Sequence, residues 1–155
     1  MIGGRFKRWL YRGNRPHFTA RALNRAWAVL HAHGVAPGYL VTLEVPGRRT
    51  GRPISFPLVM AAIDRERYLV SMLGADAAWV GNVRAAGGRA RLRHGRAEEV
   101  QLEEVAVEER APVLKAYLKR APGARPHIPV SKDAPIEDFE AIAAEFPVFR
   151  VRTVS

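Results

Sequence analysis

The densest run of chemistry-bearing side chains in the sequence is Arg48-Arg49-Thr50-Gly51-Arg52, bracketed by Pro46-Gly47 and Pro53. Three guanidiniums and a hydroxyl, on a turn whose glycines free the backbone N–H groups, form a cradle for phosphate or carboxylate, because arginine presents a planar bidentate fork. A solvated basic hairpin has the same composition, so the turn needs context. A second candidate is Trp79 with Asn82, three residues apart and therefore on one helical face. An indole beside an amide can support a flat aromatic ligand and hydrogen-bond to it; a core tryptophan also explains the same residue.

Other chemistries lack their residues. There is no cysteine, which removes thiolate catalysis, disulfides and Cys-based metal sites, and fits a reducing, cytoplasmic location. Ser55, Ser71, Ser131 and Ser155 have no G-x-S-x-G elbow around them, and no H-E-x-x-H, Walker A or dinucleotide fingerprint occurs. His31 and His33 have no third ligand close in sequence and read as histidines facing a helix C-terminus, so no metal site is expected. Glu98-Glu99 and Glu103-Glu104 read as partners of neighbouring arginines.

The charge is segregated. Of 155 residues, 25 are Lys or Arg and 15 are Asp or Glu, a net +10, and 21 of the bases are arginine. Residues 1–43 hold seven bases and no acid, whereas residues 97–145 hold six bases and eleven acids. A nucleic-acid partner is one reading of such an excess, but aromatics are 8% and no base-stacking motif accompanies the arginines, so none is expected.

The elements that must position these residues follow from the periodicity. At this length one domain buries roughly 70% of its unfolded surface, enough for a core and a small-molecule site. Residues 1–16 read as a basic arm and 17–155 as a single domain. Thr19 to Gly34 reads as a helix with Leu23, Ala26, Trp27 and Leu30 on one face. Tyr39–Val45, Ile54–Ile63 and Tyr68–Leu73 read as strands of an antiparallel meander, with Pro57 at an edge or bulge. Asp76–Ala86 reads as a short helix capped by Asp76 and stopped by Gly87-Gly88. Arg89–His94 and Arg96–Val105 are further strands, and a two-residue His94-Gly95 turn would demand a bulge near Glu98-Glu99 or a longer loop to turn Val100 and Leu102 inward. Helices over Glu108–Ala121 and Pro135–Glu145 and a strand over Val148–Val154 complete an α+β domain, a small antiparallel barrel of about six strands with three or four flanking helices.

In this order the pieces resemble a known family. A strand leading into Gly47-Arg48-Arg49-Thr50-Gly51-Arg52-Pro53, then Pro57-Leu58, Ser71-Met72-Leu73-Gly74, Trp79-x-x-Asn82 and a basic strand are similar to the deazaflavin-dependent nitroreductases of actinobacteria, over roughly residues 37–152. The resemblance implies a split β-barrel that binds coenzyme F420 and passes hydride from its reduced form to quinones, nitroaromatics or enones. It implies that Arg48, Arg49, Thr50 and Arg52 hold the coenzyme's phosphate and polyglutamate tail. Pro57 and Leu58 would line the deazaflavin ring. The backbone of Ser71, Met72, Leu73 and Gly74 would approach ring or phosphate, with Trp79 and Asn82 closing the phosphate end. Substrate-side residues would be His127, in the proline-rich segment 121–129, and Tyr117. Two positions depart from the family pattern: arginine replaces a frequent lysine at Arg49, and Met72-Leu73 stands where a lysine often follows the strand.

Two other ligand classes suit such a barrel, flavin mononucleotide for a related reductase, and a lipid or tetrapyrrole for a non-catalytic carrier. The N-terminal arm sets Phe6, Trp9, Leu10 and Tyr11 among Arg5, Lys7, Arg8 and Arg12, a composition suited to peripheral contact with an anionic membrane. It has neither a signal-peptide apolar run nor the roughly 18 apolar residues of a membrane span.

Overall fold

Alternation of apolar and polar residues decides the architecture. In the computed structural model, which describes residues 39–121 and 124–154, six strands close into one antiparallel barrel in the order β1-β2-β3-β6-β5-β4. They are β1 (Leu40–Pro46), β2 (Pro53–Ile63), β3 (Glu66–Val70), β4 (Arg89–His94), β5 (Arg96–Glu104) and β6 (Val148–Thr153). Three α-helices accompany them among the described residues: α1 (Ala78–Ala85), α2 (Ala111–Arg120) and α3 (Ile136–Ile142). The expected arm, the helix between Thr19 and Gly34, and His31 and His33 lie outside the described residues.

Two apolar clusters result, one on each face of the sheet. Val41, Leu43, Leu58, Met60, Leu69, Leu92, Val100 and Phe149 fill the barrel interior, joined by Trp79, Val80 and Val83 from α1. Side chains of alternate parity, including Leu40, Val59, Ala61, Tyr68 and Val70, face outward and are covered by α2 and α3 through Leu114, Tyr117, Leu118 and Phe139. A small barrel filled in this way is a packed core rather than a channel. Strands β1, β3 and β5 run in one direction, and the turn 47–52 at the end of β1 meets α1.

Several expectations are corrected. No bulge interrupts β4 and β5, whose pairing runs unbroken from His94↔Arg96 to Arg89↔Gln101. Gly95 alone, at φ +80°, reverses the chain, so partners differ by an even count and Val100 falls opposite Ala90 on the inner face. Asp76 does not cap α1. Its N-cap is Ala77, without a side-chain bond, because the chain first makes a turn in which the Ala77 N–H donates to Gly74 O at 3.5 Å. The third strand ends at Val70, before the turn at Ser71–Gly74, and begins at Glu66, because Asp64 and Arg65 alone make the turn with φ of +50° and +68°. Helix α2 starts only at Ala111, after a separate 3₁₀ turn over Val107–Glu109. Pro57 sits opposite Thr42 of β1, in the stretch of β2 that lies beyond its pairing with β3, so its missing N–H breaks no ladder on that side.

Candidate functional site

The turn joining β1 to β2 closes on itself. The Gly47 N–H donates to Arg52 O and the Gly51 N–H to Gly47 O, both at 2.8 Å, and Thr50 Oγ1 accepts from the Arg52 N–H at 3.2 Å. Gly51 has φ +76°, a conformation that glycine takes without steric cost. Arg48, Arg49, Thr50 and Arg52 are exposed. Among the described residues neither Arg49 nor Arg52 forms an ion pair, in contrast to most of the strand arginines.

Arg48 behaves differently from its neighbours. Its backbone N–H and its Nη1 both donate to Asn82 Oδ1, at 3.2 and 2.8 Å, and Nη1 also donates to Ala78 O at 3.2 Å. Asn82 is 3% exposed and Trp79 2% exposed. Trp79 inserts into the barrel core, its ring centroid 5.6 Å from that of Phe149, so one helical turn carries a plug for the barrel and an acceptor for the loop. A cleft of about 240 Å³ opens where the β1–β4 ladder stops at Glu44↔Arg91, lined by Val45, Pro46, Pro53, Ala90, Arg89 and Arg91 among others. Pro46 and Pro53 are the two feet of the basic turn, which places this cleft beside it.

No protein-family model and no curated protein matches this chain. Solved structures do. An F420-H2 dependent reductase, FDR-A, is 20% identical, with a TM-score of 0.52 over 74% of this chain and 94% of that one. The conserved hypothetical protein Rv2991 of Mycobacterium tuberculosis is 18% identical, with a TM-score of 0.54 over 84% of this chain and 80% of that one. A third structure, a domain-swapped dimer, is 17% identical at a TM-score of 0.54, over 86% of this chain and all of the other. The fold is a split β-barrel.

Within that split barrel the sequence-derived residues separate into groups. Arg48 and Asn82 are in contact, and the Ser71–Gly74 turn leads directly into the helix that carries Asn82. Ser71 is buried, donates its hydroxyl to Gly74 O at 2.6 Å and its N–H to Pro147 O at 2.9 Å, so it shapes the turn. Leu58 lies in the barrel core and Met72 under the helices, with Leu73 packed against that outer cluster. Pro57 is buried in β2. Tyr117 is 3% exposed between α2 and the sheet, whereas His127 is half-buried in the turn following Ala124.

Two residues escaped sequence reasoning. Gly81 lies under Arg48: a Cβ there would stand 3.2 Å from Arg48 Nη1 and 3.3 Å from Cζ. A glycine inside a helix costs about 1 kcal/mol against alanine, and this was the signal available in Trp79-Val80-Gly81-Asn82. Arg110 is the other. It is buried and donates from Nε to Val105 O at 2.8 Å, from Nη1 to Ala143 O at 3.2 Å, and from Nη2 to Glu104 at 3.3 Å. The Arg84 guanidinium, hydrogen-bonded to Glu104, holds that carboxyl below its ordinary range against the opposing effect of burial. Among the described residues no group of acidic or histidine side chains is arranged to hold a metal ion, and no helix is long and apolar enough to cross a membrane.

Proposed function

We propose that this split-barrel chain is a reductase that binds coenzyme F420, its anionic tail on the turn 47–52, and delivers hydride to a hydrophobic or aromatic acceptor such as a quinone, nitroaromatic or enone. The observation that carries the reading is the pair of exposed arginines, Arg49 and Arg52, without acidic partners on a hydrogen-bonded turn at the barrel end where Asn82 is also held. The likeness to an F420-H2 dependent reductase supports it at the level of fold.

The residues present suit the coenzyme's anionic end. Two unpaired guanidiniums complement phosphate and carboxylates with charge-assisted bonds, and Thr50 adds a hydroxyl. Asn82 uses Oδ1 for Arg48, which leaves its Nδ2 donors outside that clasp. Leu73 and Gly74, half-buried in the turn after β3, would offer surface to the coenzyme's flat portion, whereas Pro57, Leu58, Ser71 and Met72 are buried. When bound, the reduced deazaflavin supplies the hydride, and the protein supplies orientation and electrostatics. His127 is the proposed substrate-side residue, and Tyr117 secures α2.

The barrel interior is filled by Trp79, Phe149 and their neighbours, which favours a ligand on the barrel over a lipid enclosed within it. The test is a fluorescence titration of the purified full chain with F420 and, in parallel, with flavin mononucleotide. Saturable F420 binding that Arg49→Ala plus Arg52→Ala weakens at least about tenfold is expected, corresponding to loss of about 1.4 kcal/mol or more. Binding of neither coenzyme, or tighter binding of flavin mononucleotide, overturns the assignment.

A further inference from the structure

The basic turn carries three exposed arginines, and one of them, Arg48, is tied through Nη1 and its backbone N–H to the neighbouring helix. Arg48 directs Nη1 at two oxygens of α1, the Asn82 side chain at 2.8 Å and the Ala78 carbonyl at 3.2 Å, and its backbone N–H also bonds to Asn82. Its guanidinium lies against Gly81, where the absence of a side chain makes the approach possible. The turn is rigid within itself through Gly47, Gly51 and Thr50. Its orientation relative to the barrel needs a link to something that does not move. Helix α1 supplies that link, because Trp79 anchors it in the barrel core.

We propose that Arg48 is a positioning residue, which clasps the turn to α1 through Asn82 over Gly81 and so aims Arg49 and Arg52 at the anion. The inference rests on the reading of the turn as the coenzyme's anionic subsite. It assigns Arg48 a role without direct contact, and it explains why an uncharged acceptor stands at position 82. An aspartate would hold Arg48 more tightly, because a charge-assisted bond is stronger than a neutral one. It would also set a negative charge beside an anion site and oppose the ligand. Asparagine accepts both Arg48 N–H groups on its single Oδ1 without that field.

The clasp is tested on the full chain by two measurements made together, amide hydrogen exchange over residues 47–53 and fluorescence titration with F420. Gly81→Ala sets a Cβ 3.2 Å from Nη1 and crowds the guanidinium by a few tenths of an ångström while leaving Arg48 and Asn82 intact. Arg48→Lys keeps the charge and replaces the planar Nη1 donor by a shorter-reaching ammonium. Both are expected to speed exchange in the turn, with exchange in β3 and β6 unchanged, and Arg48→Lys to raise the Kd about tenfold. Asn82→Asp is expected to retain slow exchange while weakening binding, and Arg49→Ala to weaken binding without altering exchange. Exchange in the turn that is unchanged in both Gly81→Ala and Arg48→Lys overturns the clasp, and so does coenzyme affinity that Arg48→Lys preserves. If the wild-type chain binds no F420, the coenzyme assignment fails. The mechanical part of the clasp is then judged by exchange alone, since faster exchange in Arg48→Lys supports it and unchanged exchange refutes it.

Discussion

Arg110 shows what a single side chain contributes when burial and polarity coincide. It is 6% exposed and binds the carbonyls of Val105 and Ala143 together with the Glu104 carboxylate, joining the end of β5, the start of α2 and the 3₁₀ turn that follows α3. Truncation would leave buried acceptors without donors, each worth about 1–3 kcal/mol. Arg110→Met is therefore expected to lower unfolding free energy by roughly 2–4 kcal/mol in urea denaturation, with Arg110→Lys recovering part, because an ammonium does not span three directions. A change below about 0.5 kcal/mol in Arg110→Met, the scale of an ordinary surface substitution, would contradict this. Nothing in the sequence around Glu109-Arg110-Ala111 marks this arginine as buried, because the segment that covers it from the other side, at Ala143, lies 33 residues along the chain. Glu98 makes a second case. Its hydrogen bond to Arg67, reinforced by Thr153, holds its carboxyl below the ordinary value near 4.5. A depressed folded-state value gives stability that is complete above the unfolded value and is lost as pH falls through the folded one. The stability difference between wild type and Glu98→Gln should accordingly be constant from neutral pH down to about 5 and shrink below about 4.5. Thermal unfolding across the acid range measures it, and a difference that grows as the pH falls below about 4.5 refutes the pairing.

At the scale of elements, legibility followed periodicity. Strands β1, β2 and β6 were readable as short apolar runs rich in β-branched and aromatic residues, β4 from its alternation, and α2 because Val113, Leu114, Tyr117 and Leu118 recur at helical spacing. The ends of elements were less legible. The β4–β5 register depended on whether Gly95 turns the chain alone, a one-residue matter that decides which face every side chain takes. The basic turn was visible from its composition, but Arg48's attachment to Asn82 was not, since it joins residues 34 apart in sequence. Gly88 gives the sharpest test of how the α1–β4 junction sets this register. It has φ +86°, its carbonyl accepts from the Leu102 N–H at 2.8 Å, and a Cβ there would fall 2.3 Å from Leu102 O. Gly88→Ala combines a left-handed backbone with a collision against main chain, which neither partner relieves by a side-chain rotation. A loss of more than about 2 kcal/mol, or failure to fold, is expected, whereas Gly87→Ala, with open space at its Cβ, pays only for its φ of +66°. Equal stabilities of the two variants by chemical denaturation would show that the junction yields.

The whole molecule determines what its +10 charge can do. On the described barrel most strand arginines meet acids across the sheet: Arg67 with Glu98, Arg91 with Glu99, Arg93 with Glu44 and Arg152 with Glu103. These exposed pairs add little stability, but they cancel the field over the barrel wall. Arg49 and Arg52 have no such partner among the described residues, so their charge remains local to one barrel end. Arg65 is equally exposed at the opposite end, in the β2–β3 turn. Strand β2 separates the two turns with 11 residues, which at about 3.3 Å each span roughly 35 Å, several times the screening length of about 8 Å at physiological salt. If the anion is held by a local site, charge at Arg65 does not reach it. Arg65→Asn, a residue that tolerates positive φ, is expected to leave the Kd for F420 within about twofold at 0.15 M salt, while Arg52→Asn raises it about tenfold. Equal losses from the two substitutions would mean that the general field of the molecule, rather than the turn, attracts the anion. A nucleic-acid partner would then show itself by affinity that falls linearly in log Kd against log salt, with a slope set by the number of phosphates neutralised.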